Sequence, residues 1–216
     1  MHQPLLDRSN VLFDKSFTGG GPRHSRVQWD DANRQYLRFA EIYRSIPSHQ
    51  CSILDIGCGN GEFLLFLNYM GFTGSYTGVD IHEPLLQEAR ATYPGYEFLH
   101  RDMLTQHIEQ HDIVIMSGVF NLNIGQDMDF VKSFISKMYD LCKFKTIFNA
   151  ISTHVNLQEE TMYYIDPAEI MNFAIQTLSP KVELRHGYLP FNFTVAIEKS
   201  PVWCSLPRTN QADSQG

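Results

Sequence analysis

Ile53-Leu54-Asp55-Ile56-Gly57-Cys58-Gly59-Asn60-Gly61-Glu62-Phe63 is the stretch that decides the fold. An apolar strand runs into three glycines at alternate positions, and a helical pattern starts directly after them. Glycines permit a tight turn and a close approach of the backbone to a ligand. The helix that follows offers unpaired amides and the positive end of its dipole to an anionic group. Three details narrow the choice of ligand. The spacing is Gly-x-Gly-x-Gly, whereas a dinucleotide site places its third glycine three positions after the second. Asp55 stands at the entrance of the turn, where it repels a pyrophosphate and welcomes a cationic ammonium. No Gly-Lys-Ser or Gly-Lys-Thr follows, which excludes a phosphate-binding P-loop.

Outward from this turn the chain alternates strand and helix. Strands are predicted at 51–56, 75–79, 96–99, 112–117 and 144–150, and helices at 62–70 and 128–141, with another opened by His82-Glu83-Pro84. Pro84 suits the first helical position, where no amide is missed. The fourth strand is almost entirely apolar, as a strand buried on both faces should be. Asp166-Pro167-Ala168-Glu169 reads as a capping box that starts a helix ending near residue 178. Residues 182–187 and 193–198 form two more strands, joined without a helix by Tyr188-Leu189-Pro190-Phe191-Asn192. Repeated βαβ units imply a parallel α/β sheet with right-handed crossovers, and the final short connection implies one antiparallel strand near an edge. On the N-terminal side, residues 1–27 read as irregular around Gly19-Gly20-Gly21-Pro22. A helix follows, with Trp29, Ala32, Tyr36, Phe39, Tyr43 and Ile46 at three- and four-residue steps and Pro47 as its stop.

Asp55-Ile56-Gly57-Cys58-Gly59-Asn60-Gly61 resembles the first motif of the class I S-adenosylmethionine-dependent methyltransferases, where this turn holds the methionine part of the cofactor. Later markers follow in the family's order. Asp80, 19 residues past Gly61, ends the second strand beside Ile81. A carboxylate there can accept hydrogen bonds from both ribose hydroxyls. Asp102 and Met103 match the third motif, for the adenine amino group and the ring. Ser117-Gly118-Val119-Phe120-Asn121 would close the pocket near the sulfonium and the acceptor. The resemblance implies a doubly wound, seven-stranded, mostly parallel sheet of order 3-2-1-4-5-7-6 with one antiparallel strand and helices on both faces. The N-terminal part is similar to a bacterial subgroup of small methyltransferases through Gly19, His24, Trp29 and Arg38-Phe39. That likeness implies a lid over residues 1–50, with Arg38 pairing with the methionine carboxylate, a methyltransferase domain over 51–200 and a flexible tail at 201–216. Cys58 lies between two glycines, so its backbone amide, and not its thiol, is expected to face the cofactor.

Methyl transfer from a sulfonium is an in-line displacement on an already activated electrophile, so alignment of the reactants dominates and a base is needed only for some nucleophiles. The candidate bases are His24, His154 and the pair Tyr163 and Tyr164; Asn121 is better suited to orienting the acceptor. His154 is favoured by its place after a parallel strand, where such sheets open their ligand crevice. Tyr163, Tyr164, Phe191 and Phe193 are equally candidates for an acceptor pocket and for core packing.

The bulk properties agree. The 216 residues carry a net charge of -7, which argues against a polynucleotide partner. Residues 1–50 hold seven basic against five acidic side chains, a locally basic segment on an acidic body. Four cysteines without metal-ligand spacing, no signal-like N-terminus and no long apolar run predict a cytoplasmic protein with neither a metal nor a membrane span. The expected partner is a small-molecule methyl acceptor (metabolite, saccharide or natural-product intermediate), bound by a monomer or homodimer. Two other readings stand beside this one: a nucleotide-binding oxidoreductase on a related sheet, and a non-catalytic cofactor-binding subunit.

Overall fold

The computed structural model describes residues 3–18, 23–26 and 31–200. Seven strands form a single sheet: β1 (Ile53–Ile56), β2 (Tyr76–Asp80), β3 (Glu97–His100), β4 (His111–Ser117), β5 (Cys142–Ile151), β6 (Val182–His186) and β7 (Asn192–Glu198). The order is β3-β2-β1-β4-β5-β7-β6, with β7 antiparallel to both neighbours and the other pairings parallel. This is the order that the motif resemblance implied.

Each central strand is apolar on both sides because each side meets a helix layer. Alternate residues point to opposite faces of a pleated strand. Accordingly, Leu54, Val114, Met116 and Phe148 join one core with α6 (Met128–Leu141) and α7 (Pro167–Thr177). Ile53, Ile113, Ile115 and Ile147 join a second core with α3 (Ala32–Tyr43), α4 (Glu62–Tyr69) and α5 (Glu83–Thr92). Helix starts follow local chemistry. Asp31, Asp127 and Asp166 accept from the backbone amides of Asn33, Phe130 and Ala168, the usual work of an N-cap carboxylate. Glu169 completes no capping box; its carboxylate pairs with Lys132 Nζ at 2.7 Å.

Two expectations need correction. The segment before residue 27 is helical where it is described, as α1 (Gln3–Thr18) and α2 (Arg23–Arg26). Its apolar residues Leu5, Leu6, Leu12, Phe13 and Phe17 are partly buried while Asp7, Arg8, Asp14 and Lys15 face solvent, so tertiary docking stabilises a pattern that is weak in isolation. Pro84 is the second residue of α5, because His82 is the N-cap and Glu83 opens the helix. Trp29, the breaker at 19–22 and the tail at 201–216 lie outside the described residues. Among those that are described, no helix is long and apolar enough to cross a membrane, and no cluster of three or more His, Cys, Asp or Glu side chains could hold a metal.

The loop that feeds β2 depends on a missing side chain. A Cβ at Gly74 would stand 2.0 Å from the Cys51 carbonyl oxygen, whereas one at Gly95 would meet open space. Gly74→Ala is expected to destabilise the protein by about 1–3 kcal/mol and Gly95→Ala to be near neutral, read from urea midpoints of the two variants.

Candidate functional site

The site begins at the end of β1. Gly57, Gly59 and Gly61 all adopt positive φ (73°, 54° and 84°), a region open to glycine and disfavoured for side chains. Two amides of the turn, Gly57 N and Cys58 N, donate to the Val79 carbonyl at 2.8 and 3.1 Å. The Cys58 amide is therefore committed to β2 and does not face the cleft as a free donor, contrary to the reading from sequence. Gly59 N donates to Asp80 Oδ2 at 2.8 Å, and His82 N donates to Asp80 Oδ1 at 2.9 Å. One carboxylate thus clamps the glycine turn to the start of α5. Gly61, the N-cap of α4, has no side chain with which to cap that helix, so the first-turn amides are left for a ligand. A Cβ at Gly57 would lie 2.2 Å from Val119 Cγ2, which makes this turn a cradle that only glycine fits.

Burial sets the electrostatics. Asp55 is 3% exposed and accepts from the Tyr76 hydroxyl at 2.7 Å. Desolvation pushes its pKa up to about 7; the nearby Asp80 charge adds to the rise, and the Tyr76 bond opposes it. Asp80 is also raised, by burial first, against the pull of the His82 and Gly59 amides. Two carboxylates in one wall, one buried and one half-buried, favour a ligand that brings a positive charge. Burial, with the Asp80 and Asp55 charges, holds the Cys58 thiol well above its ordinary value, which disfavours the nucleophilic thiolate.

These groups line a cleft of about 410 Å3 at the C-terminal ends of the parallel strands. Arg38, Asp55, Gly57, Cys58, Gly59, Asp80, Ile81, Asp102, Met103, Ser117 and Asn121 all reach it. Arg38 is buried on α3, and its Nη2 donates to Asn121 Oδ1 at 3.1 Å; desolvation lowers its pKa to about 10 against the opposing pull of Tyr188. Ser117 Oγ donates to Asn149 Oδ1 at 3.3 Å. Asp102 uses its carboxylate to hold its own turn, accepting from Leu104 N (3.0 Å) and Thr105 Oγ1 (2.5 Å), and still borders the cleft.

Neither candidate histidine is there. His24 lies on α2 and does not line the cleft, and exposed His154 sets its ring edge-on to His186, with centroids 6.2 Å apart. Tyr163 and Tyr164 do not line the cleft either. The chain after β5 is drawn aside, because Ser152 N donates to Phe191 O (2.7 Å) and Thr153 N to Ile165 O (3.0 Å).

Four contributors were missed from sequence. Arg34 and Gln35 of α3 reach the cleft, and buried Gln35 Oε1 has no hydrogen-bond partner among the described residues. Their signal was the helical spacing of Asp31, Arg34, Gln35 and Arg38 on one face. From α1, Leu6 and Phe13 also line the cleft. Helix α1 is pinned at two points: Arg8 Nη1 donates to Ile124 O at 3.0 Å, and His82 Nε2 donates to Asp14 Oδ1 at 2.9 Å. The second bond fixes the tautomer, since His82 Nδ1 accepts from Leu85 N. Phe13 and Phe17 flank the same imidazole, each with its ring centroid 6.0 Å away.

Residues 47–185 match the family model described as a methyltransferase domain. This chain belongs to that family. A Mycobacterium tuberculosis protein named as a methyltransferase is 24% identical over 155 residues, covering 69% of this chain and 93% of its own. Among solved structures, magnesium protoporphyrin IX methyltransferase from Synechocystis, with bound S-adenosylmethionine, superposes with a TM-score of 0.63 at 16% identity, covering 91% of this chain and 95% of its own. The N-methyltransferase NodS from Bradyrhizobium japonicum, in complex with S-adenosyl-L-homocysteine, gives 0.65 at 12% identity, covering 89% and 99%. The methyltransferase thus has the Rossmann-like fold of these structures.

Asp55 gives the methyltransferase a titration signature. Its pKa is raised on folding from 3.8 to about 7, so the native state binds more protons than the unfolded chain within that window. The stability contribution is therefore fully present below pH 3.8 and is lost as pH rises through about 7. Melting curves of the ligand-free protein between pH 5 and 8 should fall more steeply for wild type than for Asp55→Asn; parallel curves would contradict the assignment.

Proposed function

We propose that this enzyme transfers the methyl group of S-adenosylmethionine to an oxygen or nitrogen of a small molecule, with the cofactor lying across the ends of β1, β2 and β3. The observation that carries the reading is Asp80, a half-buried carboxylate at the end of β2 that already organises the glycine turn through Gly59 and opens onto the cleft. Its remaining lone pairs accept from the ribose hydroxyls, and Ile81 and Met103 pack on the base, whose amino group reaches Asp102. The turn 57–61 and the first amides of α4 receive the methionine end. Asp55 and the unpartnered oxygen of Gln35 favour its ammonium, and Arg38 or Arg34 its carboxylate.

The cofactor supplies an activated methyl group, so the chain's own residues bind, orient and exclude water. Asn121, held by Arg38, is the orienting group closest to the junction after β4. Helices α1 and α2 form the lid: Arg23 pairs with Glu62 Oε1 at 2.5 Å and donates to Asn60 O at 2.7 Å, tying α2 to the first motif. The three described cysteines are free and buried, which fits a cytoplasmic setting.

Isothermal titration with S-adenosyl-L-homocysteine tests the reading. Asp80→Ala removes two charge-assisted hydrogen bonds of about 1.5–3 kcal/mol each, so affinity should fall about a hundred-fold or more. Unchanged affinity in a variant that retains its circular dichroism would place the ribose elsewhere.

A further inference from the structure

The cleft has a second half, built from the ends of β4 and β5 and the connection into β7. Three segments meet there and consume one another's backbone groups. Tyr163 N donates to Asn121 O at 2.8 Å, Asn123 N to Thr161 O at 2.9 Å and Ser152 N to Phe191 O at 2.7 Å. With these main-chain groups paired, mostly side chains are left to meet a ligand, and most are apolar: Leu122, Met162, Leu189 and Phe191, with Leu6 and Phe13 from α1. Of the polar ones, Asn121 accepts from Arg38 at 3.1 Å, Asn192 donates to Pro190 O at 2.7 Å, and Ser9 reaches the cleft from α1. Gln126 also borders this half, but its amide is spent on Leu122 O at 2.7 Å and Ile124 N at 2.8 Å. The carboxylates that touch the cleft (Asp31, Asp55, Glu62, Asp80 and Asp102) sit on α3 or on the cofactor side, and no histidine lines it among the described residues. A polyhydroxylated acceptor needs many converging donors and acceptors, and this wall presents few.

Phe191 adds an independent observation. Among the described residues it is the one non-glycine with positive φ, at 64°. That conformation is unfavourable for a bulky aromatic residue, and glycine would adopt it freely. The side chain is 38% exposed, so packing gives the fold little reason to keep it. The bond from Ser152 N and the pairing of Ile151 with Asn192 hold the backbone in place and set the ring at the cleft wall. Strain retained where burial does not reward it is a mark of function.

We infer that the methyl acceptor is an apolar ring- or chain-bodied small molecule, seated on the wall of Leu122, Met162 and Phe191, and that Phe191 determines its specificity. This rests on the reading that the β1–β3 half takes the cofactor. An acceptor of this kind is recognised by shape and desolvation more than by hydrogen bonds. Saccharides are thereby disfavoured as substrates.

The test uses the full chain saturated with S-adenosyl-L-homocysteine and titrated calorimetrically with 1-naphthol and, separately, with methyl α-D-glucopyranoside. Naphthol should bind and the glucoside should give no saturable heat. Phe191→Gly should weaken naphthol at least ten-fold, leave S-adenosyl-L-homocysteine affinity within two-fold and keep or raise the melting temperature, because glycine relieves the backbone. Phe191→Asn, which tolerates the same φ, should lose naphthol equally. The inference is overturned if naphthol fails to bind, if the glucoside binds as well as naphthol, or if either variant retains naphthol. It also falls if Phe191→Gly loses naphthol together with melting temperature, since the ring would then be a packing residue. Failure of S-adenosyl-L-homocysteine itself to bind counts against the cofactor reading, and with it this one.

Discussion

The site is organised around one half-buried carboxylate. Asp80 accepts the Gly59 amide on one oxygen and the His82 amide on the other. The first bond closes the glycine turn onto β2, and the second fixes the start of α5. The His82 ring, so placed, caps α5 through Nδ1 and holds α1 through Nε2 and Asp14. A single acid therefore connects the glycine turn, α5 and α1. Burial raises its pKa, and the amides restrain that rise by solvating the charged form.

The division of labour along the sheet follows from topology. β1 ends in a glycine-rich turn into α4 and β2 in a polar turn into α5, while β3 runs into the polar turn at Asp102 on its way to β4. Beyond β4 the connections differ. β5 is followed by a long loop that pairs with neighbouring loops, and β7 runs antiparallel beside it. These segments satisfy their own backbone polarity, so an apolar face remains for the acceptor. In the proposed reading, charge and hydrogen bonding serve the cofactor on one side, and shape and desolvation serve the acceptor on the other.

The alternation of strands and helices and the glycine motif were legible because both rest on local signals, while the strand order followed from the family resemblance. Alternating apolar runs, the spacing of Gly57, Gly59 and Gly61, and the acids ending two strand regions need no knowledge of tertiary contacts. Helix α1 was not legible, since its apolar stripe is modest and gains meaning only once Phe13 and Phe17 dock on His82. His154 misled for a related reason. The rule that residues after parallel strands face the crevice presumes a short connection, and here two backbone bonds carry the loop aside until His154 meets His186. The φ of Phe191 leaves no trace in sequence at all, because nothing about Pro190-Phe191-Asn192 demands a left-handed phenylalanine.

The most direct test of the central claim is a crystal structure of the protein with S-adenosyl-L-homocysteine. The account predicts both ribose hydroxyls within about 3 Å of the Asp80 carboxylate, the amino-acid end against the turn 57–61, and open space on the Leu122–Phe191 side of the sulfur. Ribose density away from Asp80, or an amino-acid end directed toward Met162 and Phe191, would contradict it.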